Sequence, residues 1–169
     1  MMRLLLALTL LEGFAATVAA QNAQNVPSAS TMLDASRAFL ATLDPTQKSE
    51  AVFPFNSEER FRWFYTPVSR KGIPLKELNA TQRKAALALL RAGLSEQGYT
   101  KAETIRKLED VLREIEQGSG PTRDPDLYFF TFFGEPSETG AWGWRWPRMR
   151  STTCSRLFAR SGAIPPMSS

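Results

Sequence analysis

Leu75–Leu94, LKELNATQRKAALALLRAGL, is the longest uninterrupted amphipathic run in the chain. Asn79 has the side chain of an N-cap, accepting from a backbone N–H two or three residues on, and Gln82 stands where a capping box needs an amide to reach back. The pattern predicts a helix from about Ala80. Leu87, Leu90 and Leu94, with Ala86 and Ala88, recur at three- and four-residue steps and predict one apolar stripe, with Arg83, Lys84 and Arg91 turned to water. Gly93 and Ser95 weaken the helix, and Gly98 is expected to end the region.

A second cap of the same design lies upstream, where LATLDPTQKSEA at Leu40–Ala51 matches LKELNATQRKAA at Leu75–Ala86. Asp44 aligns with Asn79, Gln47 with Gln82, Leu43 with Leu78 and Ala51 with Ala86. Good caps reuse few residue types, so a duplicated unit and convergence on one helix start both account for it. Asp34–Leu43 reads as a short helix with Ala35, Phe39 and Leu43 on one face, and Pro45 opens the next, which must stop around Phe53-Pro54. Arg60–Tyr65, RFRWFY, is expected to be a strand, followed by a loop through Pro67, Gly72 and Pro74.

Downstream, Thr100 and Glu103 suggest a further capping box, with Ile105, Leu108, Leu112 and Ile115 as the core stripe of a helix ending before Gly118. A helical hairpin with the preceding helix is the economical arrangement. After the turn-rich GSGPTRDPD, Leu127–Phe133, LYFFTFF, is a short aromatic run that predicts a buried strand. In WGWRW, extended backbone puts Trp142, Trp144 and Trp146 on one face and Gly143 and Arg145 on the other. The fold class expected is α+β, an incomplete domain in which a helical N-terminal half packs on a small, aromatic-rich, mostly antiparallel sheet built from the Phe61, Phe130 and Trp144 regions.

The first residues read as an address. MMR is a positive start, Leu4–Leu11 a short apolar run and Val18-Ala19-Ala20 a small-residue cleavage site, which predicts a signal peptide over 1–20 and a secreted or periplasmic protein after cleavage near Ala20. The apolar run is too short to span a bilayer, so no permanent membrane anchor is expected. Residues 21–33 are expected to be a flexible lead, 34–146 a partial domain and 147–169 a disordered tail. Cys154 is the single cysteine, so no intrachain disulfide can staple the fold.

The net charge is +4, but Arg145, Arg148, Arg150, Arg156 and Arg160, with no acid after Glu138, supply more than all of it. The rest of the chain is close to neutral, so a basic nucleic-acid face is not expected. The absence of histidine removes Ser-His-Asp and Cys-His nucleophile systems and histidine-bearing zinc sites. Gly118 and Gly120 lack the lysine and the strand-to-helix setting of a phosphate loop, and no cofactor or metal site is evident.

What chemistry remains lies in 123–145. Asp124 with Asp126, and Glu135 with Glu138, are paired carboxylates suited to acid-base work or a hard cation, or else turn formers and solvated loop residues. Trp142, Trp144 and Trp146 offer a stacking platform for a sugar ring or a ligand cation, with Arg145 adding a charge, against the plainer reading that the indoles are core. Arg123 and Tyr128 complete the candidate ligand contacts.

The motifs TP-x(3)-RKGIPL-x(2)-L-x-x-TQR, GLSEQGY, KLEDVL, RDPDLYFFTFFGEPS and G-x-WGWR, spread over Ala38–Arg145, resemble those of the family called domain of unknown function 3500, a resemblance that implies no established activity. In that family the WGWR segment is followed by His-His-Leu-Ser and a further stretch of domain. Here it runs into WPRMRSTTCSRLFARSGAIPPMSS, which predicts a truncated or frameshifted reading after Trp146. Ser151–Cys154 encoded as AGC ACC ACC TGY gives x-His-His-Leu one base earlier. Three functions stand as expectations: an exported protein of unknown biochemical function, catalytically incomplete; an exported hydrolytic or metal-dependent enzyme binding through 123–145; and a non-enzymatic carbohydrate or small-ligand binder using the tryptophans.

Overall fold

The computed structural model describes residues 29–62, 70–147 and 154–160, the last as backbone only. In chain order the elements are α1 (Ala29–Thr42), α2 (Pro45–Ala51), β1 (Val52–Phe53), β2 (Ile73–Pro74), α3 (Ala80–Gly93), α4 (Glu96–Glu116), β3 (Phe129–Phe133), β4 (Ala141–Pro147) and β5 (Cys154–Arg160), with 3-10 turns at Glu58–Phe61 and Leu75–Glu77. The fold is α+β, with the helices on one face of a small mixed sheet.

Two of the three predicted capping boxes form. Asp44 accepts from Gln47 N at 2.9 Å and Asn79 accepts from Gln82 N at 3.0 Å, each with the reciprocal amide contact of a capping box. The two boxes meet: Gln82 Nε2 donates to Gln47 Oε1 at 2.7 Å and to the Thr42 carbonyl at 2.9 Å. Gln82 is therefore buried without an orphaned donor, as a buried amide must be. Leu43 and Leu78, and Ala51 and Ala86, occupy matching positions in the core beside it.

The sheet is built around β3. Its residues alternate, yet all five are buried, because both faces and both edges are covered. One edge pairs antiparallel with β4, and β4 pairs antiparallel with β5. The other edge is shared end to end by two dipeptides, β1 running parallel at Phe132 and Phe133 and β2 antiparallel at Phe129 and Phe130. Between them Thr131 Oγ1 donates to the Lys71 carbonyl at 2.6 Å. Gly72 makes that approach possible: its φ is +117°, and a Cβ there would collide with Thr131 Oγ1 and lie 2.5 Å from the Phe130 carbonyl oxygen.

On the helix side, Tyr128, Phe130 and Phe132 join Trp142, Trp144 and Trp146 beneath Phe39, Leu89 and Leu90. Phe39 meets Phe130 edge-on at 5.2 Å between ring centroids, and Phe130 stacks on Trp144 at 6.0 Å. Aromatic pairs in these geometries contribute beyond their buried area. The helix α3 faces this layer through Ala86, Leu89 and Leu90. Leu89 is thus core and Leu87 only half-buried, a shift of the expected stripe that the packing of α3 on α1 produces.

Other expectations are corrected. α1 begins at Ala29, inside the expected flexible lead, because Met32 and Leu33 extend its buried face by a turn; residues 1–28, on which the expected signal peptide falls, lie outside the described residues. The start of RFRWFY is not a strand: Glu58–Phe61 is a 3-10 turn capped by Ser57, with Phe61 exposed and outside the sheet, while Trp63, Phe64 and Tyr65 lie outside the described residues. The expected loop ends early, in β2. Cys154–Arg160, expected as part of a disordered tail, is strand β5, since backbone pairing to the open edge of β4 needs no hydrophobic pattern; 148–153 and 161–169 lie outside the described residues.

The largest correction concerns α4. It begins at Glu96 with Ser95 as N-cap, accepting from Gly98 N at 3.1 Å, so Gly98 lies inside the helix and Thr100 does not cap it. Of the expected stripe Ile105 and Leu112 are half-buried, while Leu108 and Ile115 are 47% and 70% exposed, with Val111 beside them at 47%, and the buried residue is Glu109, at 3%. The inward face is mixed, with Tyr99 and Ala102 packed on the core and Glu109 buried further along, and α3 packs mainly on α1 rather than forming a hairpin with α4.

Candidate functional site

The segment that leads into β3 turns sharply at Asp124-Pro125-Asp126, where Asp124 accepts from the Asp126 backbone N–H at 2.8 Å, as aspartate favours in turns. This turn is where α3 and α4 are tied together. Asp126 accepts a two-pronged contact from Arg83 on α3, at 2.8 and 2.5 Å, and a third from Arg106 on α4 at 3.2 Å. Arg106 in turn holds Glu103 through two bonds of 3.0 Å. Asp124 pairs with Lys76 at 3.3 Å. Arg123 reaches back to Glu116 at 2.8 and 2.5 Å and lies 3.8 Å from Glu109.

The electrostatics follow from these pairs. The Arg83 hydrogen bonds hold the Asp126 carboxyl below the usual carboxylate range, against its partial desolvation and with the charges of Arg83, Arg106 and Lys76 adding. Arg106 is raised, first by its hydrogen bond to Glu103, and Arg123 is raised, first by its hydrogen bond to Glu116. Each charge is thereby fixed in its ionised state, the reverse of the pKa needed for proton transfer near neutrality.

The candidate residues are not gathered at one place. Arg123 and Asp124 belong to the charged seam under α4. Trp142 and Trp144 are buried beneath the helices, where a sugar ring has no access to either indole face. Arg145 is on the opposite face of the sheet, as alternation predicts. Its guanidinium binds the Glu59 carboxylate, donates to the Glu59 carbonyl at 2.8 Å and the Arg62 carbonyl at 3.3 Å, and lies 5.2 Å from the Phe133 ring centre. It fastens the 3-10 turn at Glu58–Phe61 to the sheet; such a buried charge is tolerated only when it is paired and hydrogen-bonded. Glu135 and Glu138 are exposed. Among the described residues no three His, Cys, Asp or Glu side chains come together to hold a metal ion.

Among the described residues, Tyr128 and Trp146 border an opening. The Tyr128 ring packs at a tilt against Trp146 with centroids 4.6 Å apart, and the two rings floor a cleft of about 180 Å³ walled by Leu94, Gly98, Ala102 and Ile105, with Lys101 also lining it. Gly98 and Ala102 are one helical turn apart, so α4 presents little bulk over the rings, which are nonetheless buried, Tyr128 at 2% and Trp146 at 3% exposure. Small residues at that spacing were the available signal for this cleft, obscured by the expectation that the helix began after Gly98.

A family model described as Protein of unknown function (DUF3500) matches residues 25–147. The chain belongs to that family. The match includes the helices, the aromatic strands and the cleft, and ends at the last residue of β4. No curated protein and no solved structure matches the chain. Among the described residues no helix is long and apolar enough to cross a membrane.

Proposed function

We propose that this chain is an exported, non-catalytic binding protein whose ligand site is the cleft floored by Tyr128 and Trp146, taking a small planar apolar molecule that carries an anionic group. The observation that carries the reading is the composition of that cleft: two adjoining aromatic rings as floor, aliphatic walls, and Lys101 as its cation. Apolar pockets with a few placed polar groups are the usual form of small-molecule sites. The commitment of Arg123, Asp124, Asp126 and Arg145 to internal pairs supports a structural use for the polar residues that would otherwise serve catalysis. Export rests on the charged start, apolar run and small-residue site in residues 1–20.

Isothermal titration with indole-3-acetate and with neutral indole tests the site. Saturable binding of the acid, weaker binding of indole, and loss of both in a folded Ala102→Trp variant are expected. No heat from either ligand, or equal binding by the Trp variant, would contradict the proposal. Mass spectrometry of the protein from its native host tests export, which an intact Met1 in the cytoplasmic fraction would rule out.

A further inference from the structure

α4 is inverted relative to the rule that an amphipathic helix turns its apolar stripe inward. Leu108, Val111 and Ile115 lie on the outward side at three- and four-residue steps, exposed by 47%, 47% and 70%. A helix of 21 residues is about 31 Å long, so the stripe occupies its C-terminal half as a continuous ridge. Exposed aliphatic ridges of this kind mark contact surfaces.

The charges along the helix identify the partner. Arg106 and Glu103, Asp110 and Arg113, and Arg123 with Glu109 and Glu116 are engaged within the chain. Lys107 and Glu114 are different: both are exposed, and among the described residues neither makes an ion pair. They stand immediately before Leu108 and Ile115, and so lie along one flank of the ridge with opposite charges, Lys107 before Val111 and Glu114 after it.

We infer that a second copy of this chain covers the ridge, α4 packing antiparallel on α4 about a two-fold axis near Val111. In that arrangement Val111 meets its own counterpart, Leu108 meets Ile115 of the second copy, and Lys107 meets Glu114 of the second copy. The symmetry forms the Lys107 contact twice. Residues flanking an apolar helix seam set orientation in this way. In a parallel two-fold pair the flank bearing Lys107 and Glu114 would face the opposite flank of the second copy and these charges would not meet, so the antiparallel form is the one that uses them.

Sedimentation equilibrium of the purified chain over a range of concentrations tests this. The wild-type chain is expected to dimerise. Lys107→Glu and Glu114→Lys, each replacing two attractions by two repulsions, are each expected to weaken dimerisation by about tenfold, and the double reversal is expected to restore it. Circular dichroism of each variant confirms that these exposed substitutions leave the fold intact. A monomeric wild type overturns the inference, and if that monomer binds anionic lipid vesicles through the ridge, the surface belongs to a membrane face instead. A dimer indifferent to the single reversals, or not restored by the double one, overturns it equally.

Discussion

Replacing Asp126 with asparagine keeps the shape of the turn but removes the charge that joins α3 to α4. Two arginines lose their shared partner: Arg83, with contacts at 2.8 and 2.5 Å, and Arg106, at 3.2 Å. The magnitude lies between two limits. Exposed ion pairs contribute about 0.2–1 kcal/mol, whereas removing one partner of a buried pair costs about 3–5 kcal/mol. The side chains of Arg83 and Asp126 are about 30% exposed and that of Arg106 is 13% exposed, so an intermediate loss of about 2 kcal/mol is expected. For a domain of this size that lowers Tm by roughly 4–8 °C. Chemical denaturation measures the loss, and a double-mutant cycle with Arg83→Gln should return a coupling of about 1 kcal/mol.

The same substitution has a pH signature. The folded-state pKa of Asp126 is depressed, first by the Arg83 hydrogen bond. Its contribution is therefore fully present above the unfolded carboxylate pKa, about 4, and is lost as pH falls through the lower folded value. Wild type and Asp126→Asn should differ at neutral pH and converge in acid. A difference within about 0.5 kcal/mol at pH 7, the range of an ordinary surface substitution, or one that does not shrink in acid, would refute the assignment of Asp126 as the tie between the helices.

Asn79→Ala removes the α3 cap and should cost about 1 kcal/mol, read from the denaturation midpoint. Leu90→Ala opens the layer above the aromatic sheet and should cost about 2–5 kcal/mol; a loss no larger than that of the cap variant would show that α3 does not face the sheet as described. Gly72→Ala should be among the most damaging small substitutions, since it combines a positive φ with backbone collision at Phe130; an unchanged melting temperature would contradict the close approach of β2 to β3.

Much of this architecture is legible from residue types because the features are local. Asp44 with Gln47 and Asn79 with Gln82 specify helix starts through contacts three residues apart. Leu127–Phe133 and WGWRW specify strands by length, aromatic content and alternation, which also places Arg145 opposite the indoles. The features that escape are non-local. β1 and β2 are dipeptides, too short for any period, and exist because β3 offers an edge. β5 draws on the edge of β4 in the same way. The period of α4 gives a stripe without saying which side faces inward, and the answer comes from Asp126 and Arg123, on the far side of a turn. The cleft depends on that orientation, so of its residues Tyr128 and Trp146 were candidates from the sequence and those contributed by α4 were not.

The orientation of α4 underlies both the cleft and the exposed ridge, and one comparison tests it directly. Denaturation midpoints of Leu108→Glu and Glu109→Ala are measured at a chain concentration low enough to keep the protein monomeric. The structure predicts that Leu108→Glu leaves the midpoint within about 0.5 kcal/mol of wild type, as for a surface change, while Glu109→Ala lowers it by about 1–2 kcal/mol by leaving Arg123 half-partnered. Collapse of the Leu108→Glu variant with a tolerant Glu109→Ala would mean that the apolar stripe faces the core.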